Sequence, residues 1–291
     1  LKTSPPPSAA LSLGLGIRFD PALPGILAEH PLPRLGRLGR SLRRRLASPP
    51  VHALLADARG VWAWAPGDCY APATYHGELQ DWIRAHAGCE MKLWVADALT
   101  QDLEDADTAR LGDDRSLRRH ARDAFVTRHG AAAAAWPLAT WQDSAIPGAI
   151  ALSGIDLAAL ERHGQRHGVR IRAVAPWWHH AYVEARRCVP GLARMASARV
   201  GVVQGRYTTW ISVSGGAMSG VRRQVLEQPC VDALRAAMAD AAPAEAGMTV
   251  LLGHGLDDGH RTDATGAFVL GRLDGEQPPQ WLRPSTQAET H

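Results

Sequence analysis

Three absences bound what this 291-residue sequence can be. It has no CxxC pair, no GxxxxGK[ST] segment and no apolar run of the roughly eighteen residues a bilayer span needs. The four cysteines, Cys69, Cys89, Cys188 and Cys230, are widely spaced. That spacing argues against a zinc ribbon or a disulfide framework and fits reduced thiols in a cytoplasmic protein. Without the Lys and Ser/Thr of a P-loop, the commonest phosphate cradle is excluded at the motif level. The weak apolar run near the N-terminus, LSLGLGIRF, lacks a basic flank, so the chain as given is expected to be soluble with no direct membrane span. A net charge of +3 implies neither nucleic acid nor membrane as a partner.

What is present is a chain able to bury a sizeable core, at 46% hydrophobic, long enough for one large or two ordinary domains. Residues 1–50 read as a Pro-rich lead followed by a basic segment. Six arginines fall between Arg34 and Arg45, and no acidic residue occurs from His30 to Ala56. Arg40, Arg43, Arg44 and Arg45 are the candidate contacts for an acidic partner; the alternative is the solvated face of a short helix with Leu38, Leu42 and Leu46 on one stripe. Residues 51–190 read as a first α/β lobe. VHALLADARGVWAWA predicts a hairpin about Asp57–Gly60, and MKLWVAD a buried strand. Helices are expected around Glu78–Ala87 and over SLRRHARDAFVTRHG, the latter capped by Ser116 and closed at Gly130. Residues 148–176 read as one strand–helix–strand unit, the helix opening near Asp156, with Val169, Ile171, Ala173 and Ala175 facing inward on the second strand. Residues 191–275 read as a second lobe with a three-strand meander at 198–226, a helix near Val231–Ala241 and strands at MTVLLGHG and GAFVLGRL. Residues 276–291 form a tail expected to be loosely held.

Several constellations carry chemistry on paper. His163 and His167 are spaced i, i+4, as two imidazoles on one metal would be, but the Glu of HExxH is missing and no third ligand is indicated, so no metal site is expected. Trp177-Trp178-His179-His180 could stack a base or sugar; packing over a domain junction is the alternative. Ser214 beside Gly215-Gly216 lacks the strand-to-helix setting of a nucleophile elbow. The Gly turns remain: Gly205 with Thr208 and Thr209, and Gly253 with Gly255. Glycine lets backbone N–H groups approach a phosphate, and a Thr hydroxyl adds a donor.

In the stretch ARVGVVQGRYTTWISVSGGAMSGVRRQVL these features resemble the second phosphate motif of the actin-like ATPases, Asp-x-Gly-x-x-x-Thr opening a strand meander. Gly205 matches the Gly, Thr209 the Thr, and Gly215 or Gly216 the hairpin turn. MTVLLGHG is similar to the strand and Gly turn that border the adenosine. The Asp position of the motif falls on Val203, and LSLGLGIRF is the only candidate for the first phosphate motif. Among actin-like proteins the chain is most similar to the cytoplasmic assembly proteins of type IV pilus and type II secretion systems. The resemblance implies an α/β fold of two lobes, actin-like (ribonuclease H-like), with mixed sheets flanked by helices. It also implies a degenerate nucleotide site at Gly205, Thr208, Thr209, Gly253 and Gly255, with no cofactor and no catalytic residue. Its partners would be proteins of a membrane-associated assembly platform rather than nucleic acid, placing a cytoplasmic chain peripheral to the inner membrane. The alternative is an ATP-binding enzyme or nucleotide-dependent switch. It would draw on Asp57, Asp97, Asp156, Asp257 or Asp258, of which the Asp257-Asp258 pair is the most suggestive.

Overall fold

The computed structural model describes Phe19, residues 49–66, 71–103, Thr108, Leu111, 113–142, 147–240, 247–279 and Leu282. The arginine segment 34–45, with Arg40, Arg43, Arg44 and Arg45, lies outside the described residues, as does Cys69.

The chain opens on the hairpin β1 (Val51–Ala56) and β2 (Val61–Trp64), followed by β3 (Thr74–His76), α1 (Leu79–Ala85) and β4 (Glu90–Val95). A three-stranded unit is then inserted: β5 (Thr100–Asp102), α2 (Asp114–His129), β6 (Leu138–Trp141) and β7 (Gly148–Leu152). The chain returns through α3 (Leu157–Arg166) to β8 (Arg170–Pro176), and α4 (Trp177–Cys188) leads to the second half. There the meander β9 (Ser197–Gln204), β10 (Tyr207–Ser214) and β11 (Ala217–Val225) precedes α5 (Val231–Asp240), β12 (Thr249–His254) and β13 (Phe268–Leu270).

The first large sheet has the order β3-β2-β1-β4-β8 and the second β11-β10-β9-β12-β13. In each, the first three strands pair antiparallel and the last two add parallel. In each, one helix links the third strand to the fourth, α1 in one and α5 in the other. The two halves are thus two copies of one topology. Residues 148–176, however, are not one strand–helix–strand unit. β7 is the central strand of the small sheet β5-β7-β6, whereas β8 is the edge of the first large sheet. The fully buried run Gly148–Leu152 is compatible with either sheet, and periodicity cannot choose between them.

α4 sits between the large sheets. Trp177, Trp178, Ala181 and Ala185 pack into a core that holds Leu54 and Leu93 from one sheet and Val200, Val202, Ile211 and Leu252 from the other. A second apolar cluster under α5 joins Val203, Trp210, Leu234 and Leu251. A third, under α2, joins Ala121, Phe125, Leu138 and Ala149.

Two local expectations shift. α2 is capped by Asp113, not Ser116: the Asp113 carboxylate accepts from both the N–H and the hydroxyl of Ser116, so the helix begins at Asp114. On β8 the register slips, because Met91 pairs with Ile171 and Lys92 with Ala173. Arg172 is the extra residue of a β-bulge, and its guanidinium meets the buried Glu90. The bulge resets the alternation, so Val174 and Pro176 face the core while Ile171, Ala173 and Ala175 are half-buried.

Candidate functional site between the two lobes

The two equivalent hairpins put two equivalent two-residue turns at the same end of their sheets: Asp57-Ala58-Arg59-Gly60 after β1 and Gln204-Gly205-Arg206-Tyr207 after β9. The first is closed by its own side chain, since Asp57 Oδ1 accepts from the N–H groups of Arg59 and Gly60 at 2.8 and 2.9 Å. The second is closed by conformation. Gly205 has φ +60 while Arg206 does not have positive φ, the pattern of a turn with glycine at its first central position. The first-lobe counterpart of the second-lobe turn is therefore the Asp57 hairpin, while residues 11–18 of LSLGLGIRF lie outside the described residues.

The same comparison moves the register of the second turn by one residue. Val203 is fully buried in the cluster under α5. Gln204 is the last residue of β9, and its side chain reaches the first lobe. The residue equivalent to Asp57 is thus Gln204.

The glycines lie together, for packing reasons. The Gly205 N–H donates to His254 O at 2.9 Å and the Gly255 N–H to Gly275 O at 2.8 Å. A Cβ on Gly253 would run into the backbone of Val203, and one on Gly255 would lie 2.8 Å from Gly205 N. Thr208 is buried on the far side of β10 from Thr209, by strand alternation. Thr209 points into the cleft, where its hydroxyl donates to the Asp97 carboxylate.

Asp97 is the centre of the arrangement. It opens a 3-10 turn (Asp97–Leu99) after β4 and is 1% exposed. Its N–H donates to Gln204 Oε1 at 2.9 Å. Arg223, which pairs with Thr209 across β10 and β11, donates to Asp97 O at 2.6 Å and to Thr100 O at 2.8 Å. Its Nε lies 2.9 Å from Asp102 Oδ2. Burial pushes the Asp97 carboxyl up to about 6, against the pull of the Thr209 hydroxyl and the Arg223 charge. Beside Gln204 on β12, burial drives His254 down to about 4, with Asp57 opposing and Arg59 assisting.

At the second turn an amide, Gln204, stands where the first turn has a carboxylate. The buried side-chain atoms without a partner among the described residues include Gln204 Nε2, Thr208 Oγ1 and His254 Nδ1 around this turn. A cavity of about 490 Å³ on the first-lobe side of the Asp57 turn has Asp57, Arg59, Glu78 and Asp156 among its lining residues.

The remaining candidates disperse. Asp258 lies far along the chain from Val231 yet accepts from its N–H at 2.7 Å, so it serves the start of α5. Asp156 caps α3 through the Ala159 N–H. The His163 and His167 rings meet at a tilt of 44° with centroids 4.6 Å apart, and among the described residues no group of three His, Cys, Asp or Glu is placed to hold a metal ion. Trp177 and Trp178 are buried under the sheets, His179 is held neutral by burial, and His180 donates to Leu282 O, so this run packs the lobe junction. Ser214 is exposed at the end of β10. Gln204 and Arg223 were missed as cleft residues. The available signal was alternation, which places Thr209 and Gln204 on one side of the meander and Val203 on the other.

No protein-family model matches the sequence, and no curated relative matches it. Solved structures do. A chain of the PilM–PilN type IV pilus biogenesis complex matches at TM-score 0.51 and 9% identity, over 75% of this chain and 87% of that one. A Bacteroides thetaiotaomicron protein of actin-like ATPase fold and unknown function matches at 0.48 and 8%, over 77% and 91%. The cytoplasmic domain of EpsL, an inner-membrane component of the type II secretion system of Vibrio cholerae, matches at 0.43 and 10%, over 70% and 82%. With the duplicated strand order, the fold is the two-lobed actin-like one. Among the described residues no helix is long and apolar enough to cross a membrane.

Proposed function

We propose that this protein is a non-catalytic, actin-like scaffold subunit of a bacterial type IV pilus or type II secretion assembly platform. It acts through protein–protein contacts on the cytoplasmic face of the inner membrane. The observation that carries the non-catalytic part is the use of the cleft's polar groups within the chain. The Gly205 and Gly255 N–H groups, the Thr209 hydroxyl and the Arg223 guanidinium are all engaged by protein atoms. One oxygen of the Asp57 carboxylate accepts from its own turn. The assembly-platform part draws on the likeness of fold to a chain of the PilM–PilN complex. In this reading the basic segment with Arg40, Arg43, Arg44 and Arg45 docks an acidic surface of a platform partner.

Calorimetric titration with ATP, with and without magnesium, tests the reading. Silence up to millimolar ATP is expected. Micromolar, magnesium-dependent heat would overturn the non-catalytic assignment and leave the nucleotide switch in its place. The docking role is tested by co-sedimentation with inner-membrane vesicles carrying the platform: replacing Arg43, Arg44 and Arg45 by Glu should abolish it, and unchanged sedimentation counts against it.

A further inference from the structure

We infer that the segment Asp97–Asp102 is the resident ligand of the second lobe's turn, so that a clasp built from the chain itself, and not a nucleotide, holds the two lobes closed. The inference rests on the non-catalytic reading but not on the pilus or secretion assignment.

The argument starts from which groups meet. Both ends of the clasp are backbone-rich and pre-formed. On the first-lobe side, Asp97 O closes the 3-10 turn by accepting from the Thr100 N–H and hydroxyl, and β5 runs on from Thr100 to Asp102. On the second-lobe side, three successive strands each contribute one side chain: Gln204 from β9, Thr209 from β10 and Arg223 from β11. The pairing is complementary group by group. The amide oxygen of Gln204 takes the Asp97 N–H. The Thr209 hydroxyl donates to the Asp97 carboxylate, as it would to a phosphate oxygen. The Arg223 fork spans two carbonyls and the Asp102 carboxylate. Asp97 thus supplies the anion, and its side chain lies in the place a phosphate oxygen would need in order to meet Thr209.

Arg223 and Asp102 are only 12% and 17% exposed, so the ion pair is shielded and is not an incidental surface contact. The clasp is continuous with the apolar core that α4 carries between the sheets. Opening the cleft therefore requires breaking these bonds together, and a ligand would have to displace a covalently tethered competitor.

Hydrogen exchange by mass spectrometry on the full chain tests this, with wild type, Arg223→Ala and Arg223→Lys, each with and without millimolar magnesium ATP. In wild type, exchange at 97–102 and along β10–β11 should be slow and unaffected by ATP. In Arg223→Ala both segments should exchange about tenfold faster or more, while β1–β2 and α4 stay as in wild type. Arg223→Lys, which keeps the charge but not the fork, should fall between and guards against a variant that merely misfolds. Unchanged exchange at both segments in Arg223→Ala overturns the clasp, and so does ATP-dependent protection of the wild-type segments. ATP turnover on the same samples separates the two readings: turnover with the clasp exchange intact would sink the non-catalytic assignment alone.

Discussion

Asp97 is where burial and charge conflict most directly. Desolvation raises its folded-state pKa from 3.8 to about 6, and the neighbours that favour the ionised form, Thr209 and Arg223, only partly offset this. The folded chain therefore holds this proton more tightly than the unfolded chain. The group's contribution is full below pH 3.8, falls as pH rises towards 6 and is flat beyond; two units correspond to about 3 kcal/mol. Asp97→Asn keeps an oxygen for the Thr209 hydroxyl and removes the titration. We expect the variant to match wild type in urea titrations at pH 4 and to exceed it at pH 8 by about 1–3 kcal/mol. A parallel pH profile for the two proteins would refute the assignment. In the sequence Asp97 is one carboxylate among many. Its importance comes from Gln204, Thr209 and Arg223, which lie 107, 112 and 126 residues away. No local pattern reports such a meeting.

At the scale of elements much more was legible. The meander, the β1–β2 hairpin and the helices at 79–85, 157–166 and 231–240 follow from period and punctuation. Beyond the buried run Gly148–Leu152, which either sheet could have taken, the failures come from particular side-chain contacts. Asp113 captures Ser116 and moves a helix start. Arg172, drawn to the buried Glu90, inserts a bulge and flips the alternation of β8. Asp258 caps α5 from 27 residues further along the chain, which is why the Asp257-Asp258 pair looked catalytic in isolation. Asp258→Ala leaves the Val231 N–H without its acceptor and should lower stability by about 1 kcal/mol, read as a shift of the urea midpoint with unchanged slope. ATP turnover lost specifically in Asp258→Ala, with the midpoint unmoved, would instead restore its catalytic reading.

For the whole molecule, the buried histidines at the lobe junction weigh against stability in acid. His179 on α4 and His254 on β12 are each pushed down to about 4 by burial, helped at His179 by His180 and at His254 by Arg59 against Asp57. A base with a depressed folded pKa contributes stability above its unfolded value of 6.5, and that contribution is lost as pH falls towards 4. Two such groups outweigh the single opposing gain from Asp97, so thermal melts should drop between pH 6.5 and 4. The drop should be steeper in Asp97→Asn and shallower in His254→Gln. Melts insensitive to these changes would place the acid limit elsewhere.

The same long-range clasp also has a consequence during synthesis. The turn that Arg223 grips leaves the ribosome 126 residues before Arg223 does. At about 5–20 residues per second, the first lobe waits about 6–25 s for its grip. Through that interval Asp97 lacks its second-lobe partners, and until Trp177–Cys188 emerges the first-sheet face that α4 covers is open to water. The clasp can therefore form only after β11 is made, while α5, β12 and β13 of the second lobe are still to follow.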